Sequence, residues 1–118
     1  MEHASNRGYV ARHLSEVTPT PCPCGSSTRL ITPQDTDVAS LHVTRITDSQ
    51  RHYHKNTTEI YYILSGHGVL EVGDDRVELR PGLAILIEKG VPHRGSGDFE
   101  AVIVPVPAFD PEDEYVVE

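Results

Sequence analysis

The sequence predicts an all-β domain of the sandwich or barrel type. Short runs rich in Val, Ile, Leu and Tyr follow one another from about residue 28 onward. Strands of about five residues that recur roughly every 8–12 residues are typical of such folds. Turn-forming stretches rich in Gly, Pro and Asp separate the runs, and no stretch has the 3.6-residue period of an amphipathic helix. We therefore expect a barrel or sandwich with little helix.

The predicted strands come in the following order. They cover residues 28–32, 38–47, 60–64, 69–72, 77–80, 83–87 and 100–106. Residues 70–79 alternate apolar and acidic side chains on either side of a Gly-Asp pair, which predicts a β-hairpin. Residues 65–68 and 95–98 are each rich in glycine and are expected to be turns. The side chains expected in the core or the pocket wall are Leu41, Val43, Ile63, Leu70, Val72, Leu79, Leu83, Ile85, Ile87, Val102 and Val104.

The length of 118 residues predicts a single domain, since a chain of this size buries enough surface for one hydrophobic core. Residues 1–27 are polar and end in a proline-rich stretch, so we expect an N-terminal arm. Residues 28–110 are expected to form the barrel domain. Residues 111–118 are expected to form an acidic C-terminal tail.

The charge of the chain argues against nucleic acid and anionic membranes as partners. There are 18 Asp and Glu against 10 Lys and Arg, which gives a net charge of -8. Both partners require clustered positive charge to neutralise phosphates. Five of the acids lie in the last nine residues, so we interpret much of the charge as a property of the tail.

The compartment is expected to be the cytoplasm. No apolar run approaches the ~20 residues of a membrane span, and the first residues lack the apolar stretch of a signal peptide. Cys22 and Cys24 are separated by one residue, and a bridge over so short a distance is strained. We therefore expect no disulfide, in keeping with a reducing compartment.

A metal site is predicted from the spacing of the histidines. Side chains two apart on a strand point to the same side, so His52 and His54 are able to converge on one ion. Glu59 opens the next apolar strand, where a carboxylate is otherwise disfavoured, and adds an oxygen ligand. His93 follows a Gly-Pro turn and is the fourth candidate ligand.

This pattern, His-x-His-x4-Glu-x6-Gly followed by Pro-Gly and Gly-x-x-His, resembles the two motifs of the cupin superfamily over about residues 38–106. The resemblance implies a small single-domain cupin β-barrel, also described as a double-stranded β-helix or jelly roll. It also implies a divalent metal held by His52, His54, Glu59 and His93. Such a ligand set suits Fe, Mn, Ni, Co or Zn, and the sequence does not choose among them.

Two classes of function fit this site. Four protein ligands leave two positions of an octahedral ion free, which is typical of a catalytic centre. The first hypothesis is a metal-dependent dioxygenase, isomerase or lyase acting on a small oxygen-bearing molecule, with Tyr61 as the catalytic proton donor or acceptor. The other interpretation of Tyr61 is an aromatic residue that lines the barrel. The second hypothesis is a non-catalytic cupin that binds or senses a sugar or organic acid.

Other side chains have both a structural and a functional interpretation. His42 is expected to be packed or exposed, and His67 to lie in a turn. Arg45 and Arg94 are either solvated surface residues or clamps for a substrate carboxylate. Cys22 and Cys24 are either a packed turn or half of a zinc or redox element. His3 and His13 belong to the arm. The expected partners are a small molecule and a second copy of the chain in a homodimer.

Overall fold

Nine β-strands and one 3-10 helix make up the part of the chain that the computed structural model describes, residues 8–117. The 3-10 helix covers Leu14–Glu16. The strands are β1 Thr20–Cys22, β2 Gly25–Ile31, β3 Leu41–Asp48, β4 His52–Tyr53, β5 Thr58–Val72, β6 Asp75–Leu79, β7 Ala84–Ile87, β8 His93–Val106 and β9 Tyr115–Val116. No helix within residues 8–117 is long and apolar enough to cross a membrane.

The strands pair antiparallel in one curled sheet that forms a barrel, as the sequence predicts. The order β1-β2-β3-β8-β4-β9 runs along one path, and β5 joins it through β8. The register of β5 on β8 extends from the Thr58–Val106 pair to the Val72–His93 pair. On its other edge β5 pairs first with β7 and then with β6. The first residues of β5 and β8 therefore lie at opposite ends of this ladder, and the curl of the sheet brings Glu59 of β5 close to His93 of β8.

The glycine-rich segments 65–68 and 95–98 are paired strand, so the prediction of turns there is wrong. Their residues face one another across β5 and β8, with His67 opposite Asp98 and Gly68 opposite Gly97. A Cβ atom added to Gly68 would meet the carbonyl oxygen of Ser96. Glycine therefore serves the close approach of two backbones here, and His67 is an exposed strand residue instead of a turn residue. The hairpin at residues 70–79 is confirmed.

The core lies on the inner face of the curled sheet. Its buried apolar members are Ile46, Tyr61, Ile63, Leu70, Leu79, Ile87, Phe99, Ala101 and Ile103. Val72, Leu83 and Ile85 pack against it.

Four of the predicted core residues, on β3 and β8, are only partly buried. They are Leu41, Val43, Val102 and Val104. On β3 the side chains that turn inward are His42, Thr44 and Ile46, each paired with a buried residue of β8. The side chains of β3 that face inward are therefore not the ones that hydrophobicity suggests, because this part of the interior is a partly polar cavity.

Cys22 and Cys24 form a disulfide, so the expectation of no disulfide is wrong. Cys22 pairs with Gly25 across the β1–β2 hairpin, which leaves Pro23 and Cys24 as its two loop residues. The turn brings the two cysteine Cα atoms to 5.2 Å, within the usual range for a disulfide. In an extended strand, by contrast, the Cα atoms of residues two apart lie farther from each other.

Both terminal segments of the described part of the chain contact the barrel. The N-terminal segment is tied to the 32–37 loop by an ion pair between Arg12 and Asp35, at 2.6 Å. His13 caps the 3-10 helix, and His3 lies outside the described residues. The acidic C-terminal segment contributes β9, which pairs with β4, and its Asp113 is buried.

Candidate metal centre

Three strands bring the four predicted ligands together. His52 lies on β4 and faces His93, the first residue of β8, as its cross-strand partner. His54 follows β4 directly, and Glu59 is the second residue of β5. The pairing of β4 with β8 brings His52 to His93, whereas Glu59 lies at the opposite end of the β5–β8 ladder and reaches His93 because the sheet curls around the interior.

The four side chains form a tight cluster. One ligand atom from each of His52, His54, Glu59 and His93 lies within 4.8 Å of the other three. Glu59 Oε1 is 3.1 Å from Nε2 of His54 and 3.1 Å from Nε2 of His93. His54, Glu59 and His93 are buried, and His52 is half-buried at the cavity side. The spacing argument therefore predicts the juxtaposition correctly.

Backbone carbonyls fix the orientation of all three imidazole rings. A carbonyl oxygen only accepts, so the Nδ1 that contacts it must donate, and a neutral ring then has a free lone pair on Nε2. The pairs are His52 Nδ1 with Gln50 O (2.7 Å), His54 Nδ1 with Asp113 O (2.6 Å) and His93 Nδ1 with Val91 O (3.0 Å). This is the arrangement of metal-ligating histidines whose other nitrogen is held by a carbonyl.

A divalent cation fits these residues because several buried nitrogen and oxygen atoms of the cluster lie together without hydrogen-bond partners among the described residues. Nε2 of His54, Nε2 of His93 and Oε1 of Glu59 are buried with no aligned hydrogen-bond partner among residues 8–117. Burial opposes the charged form of His54, but Glu59 and the Asp113 carbonyl outweigh it and raise the pKa of His54 to about 9. Burial also opposes ionisation of Glu59, but His54 and His93 lower its pKa to about 2. Three lone pairs that point at one another require a proton or a metal ion between them.

The buried carboxylate of Asp113 supports the loop that carries His54. It accepts hydrogen bonds from the backbone N–H of Lys55 (2.9 Å) and Asn56 (3.0 Å) and from the Thr57 hydroxyl (2.9 Å). Burial raises the pKa of Asp113, but these bonds outweigh burial and lower it. Sequence reasoning missed this residue because its partners lie more than 50 positions away and no local spacing connects them.

A cavity of about 310 Å³ opens onto the cluster and is lined in part by His52, Glu59 and Tyr61. Tyr61 is 5% exposed, and its ring centroid lies 6.4 Å from that of His93. Burial, with Glu59 and Glu114, raises the pKa of Tyr61 well above its ordinary value. Its phenol is therefore a hydrogen-bond donor that faces the cavity beside the cluster.

Glu114 also lines the cavity, although the sequence assigns it to the acidic tail. Its Oε1 lies 3.5 Å from Nε2 of His52, outside the group of four ligand atoms. Part of the terminal acidity therefore belongs to the site.

The remaining candidates fall into two groups. Arg45 and Arg94 are surface residues paired with Asp98 and Asp48, so neither reaches the cavity. Cys22 and Cys24 line the cavity, but as a disulfide they offer no thiolate to a zinc ion.

His42 and Arg29 line the cavity as well. His42 is buried, as one of its two interpretations holds. Arg29 was not among the candidates predicted from the sequence. It is nevertheless a charged residue inside a predicted apolar strand, which is the feature that singles out Glu59.

Comparison with known proteins gives consistent matches. Residues 42–106 match a family described as the cupin domain. A crystal structure of a protein from Planctomyces limnophilus is 33% identical, with a TM-score of 0.87, and the match covers 94% of this chain and 99% of that one.

Two more distant matches were found. A nucleoside dehydratase of Streptomyces has 20% identity and a TM-score of 0.82 over 93% of this chain and 92% of its own. An uncharacterized protein of Methanocaldococcus jannaschii is 30% identical over 71 residues, which is 57% of each chain. The aligned region thus spans little more than half of that relative.

Proposed function

The chain belongs to the cupin family, and on that premise we propose that it is a metal-dependent enzyme acting on a small oxygen-bearing molecule. The observation that supports this most directly is the buried cluster of two Nε2 atoms and one carboxylate oxygen without aligned hydrogen-bond partners. His52, His54, Glu59 and His93 would hold the ion, which is Fe, Mn, Ni, Co or Zn. A divalent ion in this position supplies Lewis-acid polarisation of a substrate oxygen.

The residues around the cluster fit the handling of a substrate. Tyr61 would donate a hydrogen bond or a proton to an oxygen of the bound molecule, since its phenol is protonated and faces the cavity. The carboxylate of Glu114 would accept a proton at the same end of the cavity. A donor and an acceptor beside a polarised oxygen suit isomerase and lyase chemistry, and the same site suits a dioxygenase.

Metal analysis of protein purified without chelator tests this proposal. We expect about one divalent ion per chain in the wild type and a loss of that ion in His52→Ala. His67→Ala is the matched control, because His67 is exposed on β5 opposite Asp98 and outside the cluster. A wild-type protein that stays metal-free after reconstitution would overturn the proposal.

The alternative is a cupin that binds or senses a sugar or organic acid without turnover. A second measurement distinguishes it from an enzyme. A binder is stabilised by ligand in a thermal-shift panel and consumes neither oxygen nor ligand. The expectations of a homodimer and of a cytoplasmic location stay predictions.

A further inference from the structure

The wall of the cavity formed by β2 and β3 carries a second polar group, separate from the metal cluster. Arg29 on β2 and His42 on β3 are cross-strand partners, and both line the cavity. Beside them the hydroxyls of Ser27 and Thr44 lie 3.2 Å apart. Among the described residues that line the cavity, Arg29 is the only lysine or arginine.

The guanidinium of Arg29 has no anionic partner among residues 8–117. No carboxylate of residues 8–117 lies within 4 Å of it, and its buried Nε has no hydrogen-bond partner. By contrast, Arg12, Arg45 and Arg94 each pair with an aspartate. The contact that positions Arg29 is with the Phe109 ring, whose centroid lies 5.2 Å from its guanidinium carbon. Half-burying a cation without a counter-ion is costly, which indicates that the missing anion comes from a ligand.

His42 adds an N–H donor to the same place. It is 6% exposed, and its Nε2 is buried without a partner in the described part of the chain. Its ring meets that of Phe109 edge to face at 5.2 Å, so one aromatic ring holds both side chains. Burial, together with Arg29, lowers the pKa of His42 to about 4, so at neutral pH the imidazole is uncharged, with one N–H donor and one acceptor nitrogen.

We propose that Arg29 and His42 form an anion subsite that binds a carboxylate of the substrate. The guanidinium fork matches the geometry of a carboxylate, and the imidazole N–H supplies a further bond. Since the same cavity reaches His52, Glu59 and Tyr61, a molecule with a carboxylate at one end places its other oxygen group at the metal cluster. The substrate class is therefore a small organic acid, and a cavity of about 310 Å³ limits it to a compact one. The placement of the substrate's other oxygen group at the metal cluster rests on the proposed function. The anion subsite is argued from Arg29 and His42 alone.

Calorimetric titration with succinate, its uncharged analogue succinamide and inorganic phosphate tests the subsite. The titrations use the full chain in metal-free and in zinc-loaded form. In the metal-free wild type we expect succinate to bind at least about tenfold more tightly than succinamide. Arg29→Gln should abolish that difference, and Arg29→Lys should restore part of it because the charge returns without the fork.

The control variant is Arg45→Gln, whose arginine is exposed and paired with Asp98; it should keep the preference for the acid. Equal affinity for succinate and succinamide in the wild type, or an unchanged preference in Arg29→Gln, would overturn the proposal. Binding of phosphate without succinate would also overturn it, since the subsite would then suit a phosphate ester. If the protein retains no metal, the proposed function fails, and the metal-free titrations still decide on the subsite.

Thermal unfolding distinguishes a ligand-binding role of Arg29 from a structural one. Because no carboxylate in the described part of the chain pairs with Arg29, Arg29→Gln should melt at the same temperature as the wild type or above it. Succinate should raise the melting temperature of the wild type and leave that of Arg29→Gln unchanged. A marked loss of stability in the ligand-free variant would identify Arg29 as a structural residue and contradict the proposal.

Discussion

Single residues in the candidate centre are oriented by the main chain. Each candidate histidine gives its Nδ1 proton to a backbone carbonyl, so the direction of its Nε2 depends on where that carbonyl lies. For His52 and His93 the carbonyl belongs to a residue two positions earlier, which makes the orientation local. For His54 it belongs to Asp113, so the position of this ligand depends on the C-terminal segment.

Asp113→Asn tests that dependence. The amide carries no charge and presents an NH₂ group to donors that require an acceptor, so the loop at residues 55–57 should loosen. We expect metal affinity to fall about 10–100-fold, as for other supporting partners of metal ligands. The free energy of unfolding should fall by about 1–3 kcal/mol, measured by urea denaturation.

Asp110→Asn is the matched control, because Asp110 is exposed and its carboxylate accepts only from Glu112 N among the described residues. Unchanged metal affinity and stability in Asp113→Asn would show that the C-terminal segment does not position His54.

At the scale of the strands, the backbones of β5 and β8 approach each other closely at one segment of their ladder, which we call the crossing. Gly66, Gly68 and Gly97 lie at this crossing, where an added Cβ would meet backbone of the opposite strand. On opposite sides of this segment, near the two ends of the ladder, β5 carries Glu59 and β8 carries His93. A shift of one strand relative to the other would therefore separate the ligands.

Gly68→Ala should destabilise the fold, because its Cβ would press on the carbonyl of Ser96. Overpacking of this kind typically costs about 1–3 kcal/mol in the free energy of unfolding, measurable by chemical denaturation. Ser65→Ala, on the exposed surface of the same strand, should leave stability nearly unchanged. Equal stability of the two variants would mean that the backbones have room to move apart.

The N-terminal segment is held by a pH-dependent contact. The Arg12 guanidinium outweighs burial and, with bonds from Thr32, lowers the pKa of Asp35 to about 2. A folded pKa below the ordinary value means that this carboxylate stabilises the fold above about pH 4 and loses its contribution as the pH falls toward 2. Since Arg12 is about a third exposed, we expect the contribution to be less than about 1 kcal/mol.

Urea denaturation of Asp35→Asn at neutral and acidic pH checks this contact. The variant should be less stable than the wild type near pH 7, and the difference should shrink as the pH approaches 2. Asp37→Asn, a change at an exposed neighbour, serves as the control. A difference that is constant with pH would contradict the role of the Asp35 charge.

For the whole molecule, local sequence patterns predicted those features of the fold and the site that depend on residues close together in the sequence. The period-two argument predicted the approach of His52 and His54, whose ring centroids lie 5.1 Å apart although β4 ends at Tyr53. The hairpin at residues 70–79 followed from its turn residues. Glu59 stood out because a carboxylate opens an apolar strand. These signals lie within a few residues of one another, so no knowledge of tertiary contacts was needed.

Features that depend on register and on contacts between distant segments were not predictable in this way. The inward face of β3 is polar because His42 and Thr44 line a cavity, which reverses the usual relation between hydrophobicity and burial. Glycines at the β5–β8 crossing have the sequence signature of turns. The support of His54 by Asp113 spans 59 positions, and the hairpin turn that closes the disulfide leaves no periodic pattern.

The central claim, that four side chains hold one metal ion, is tested most directly by a crystal structure of zinc-loaded protein with anomalous diffraction at the zinc edge. We predict one strong peak among His52, His54, Glu59 and His93, with zinc–nitrogen distances of about 2.0–2.1 Å. The imidazole Nδ1 atoms should keep their carbonyl partners. A structure in which zinc occupies only other positions, with these four side chains free of metal, would contradict the account.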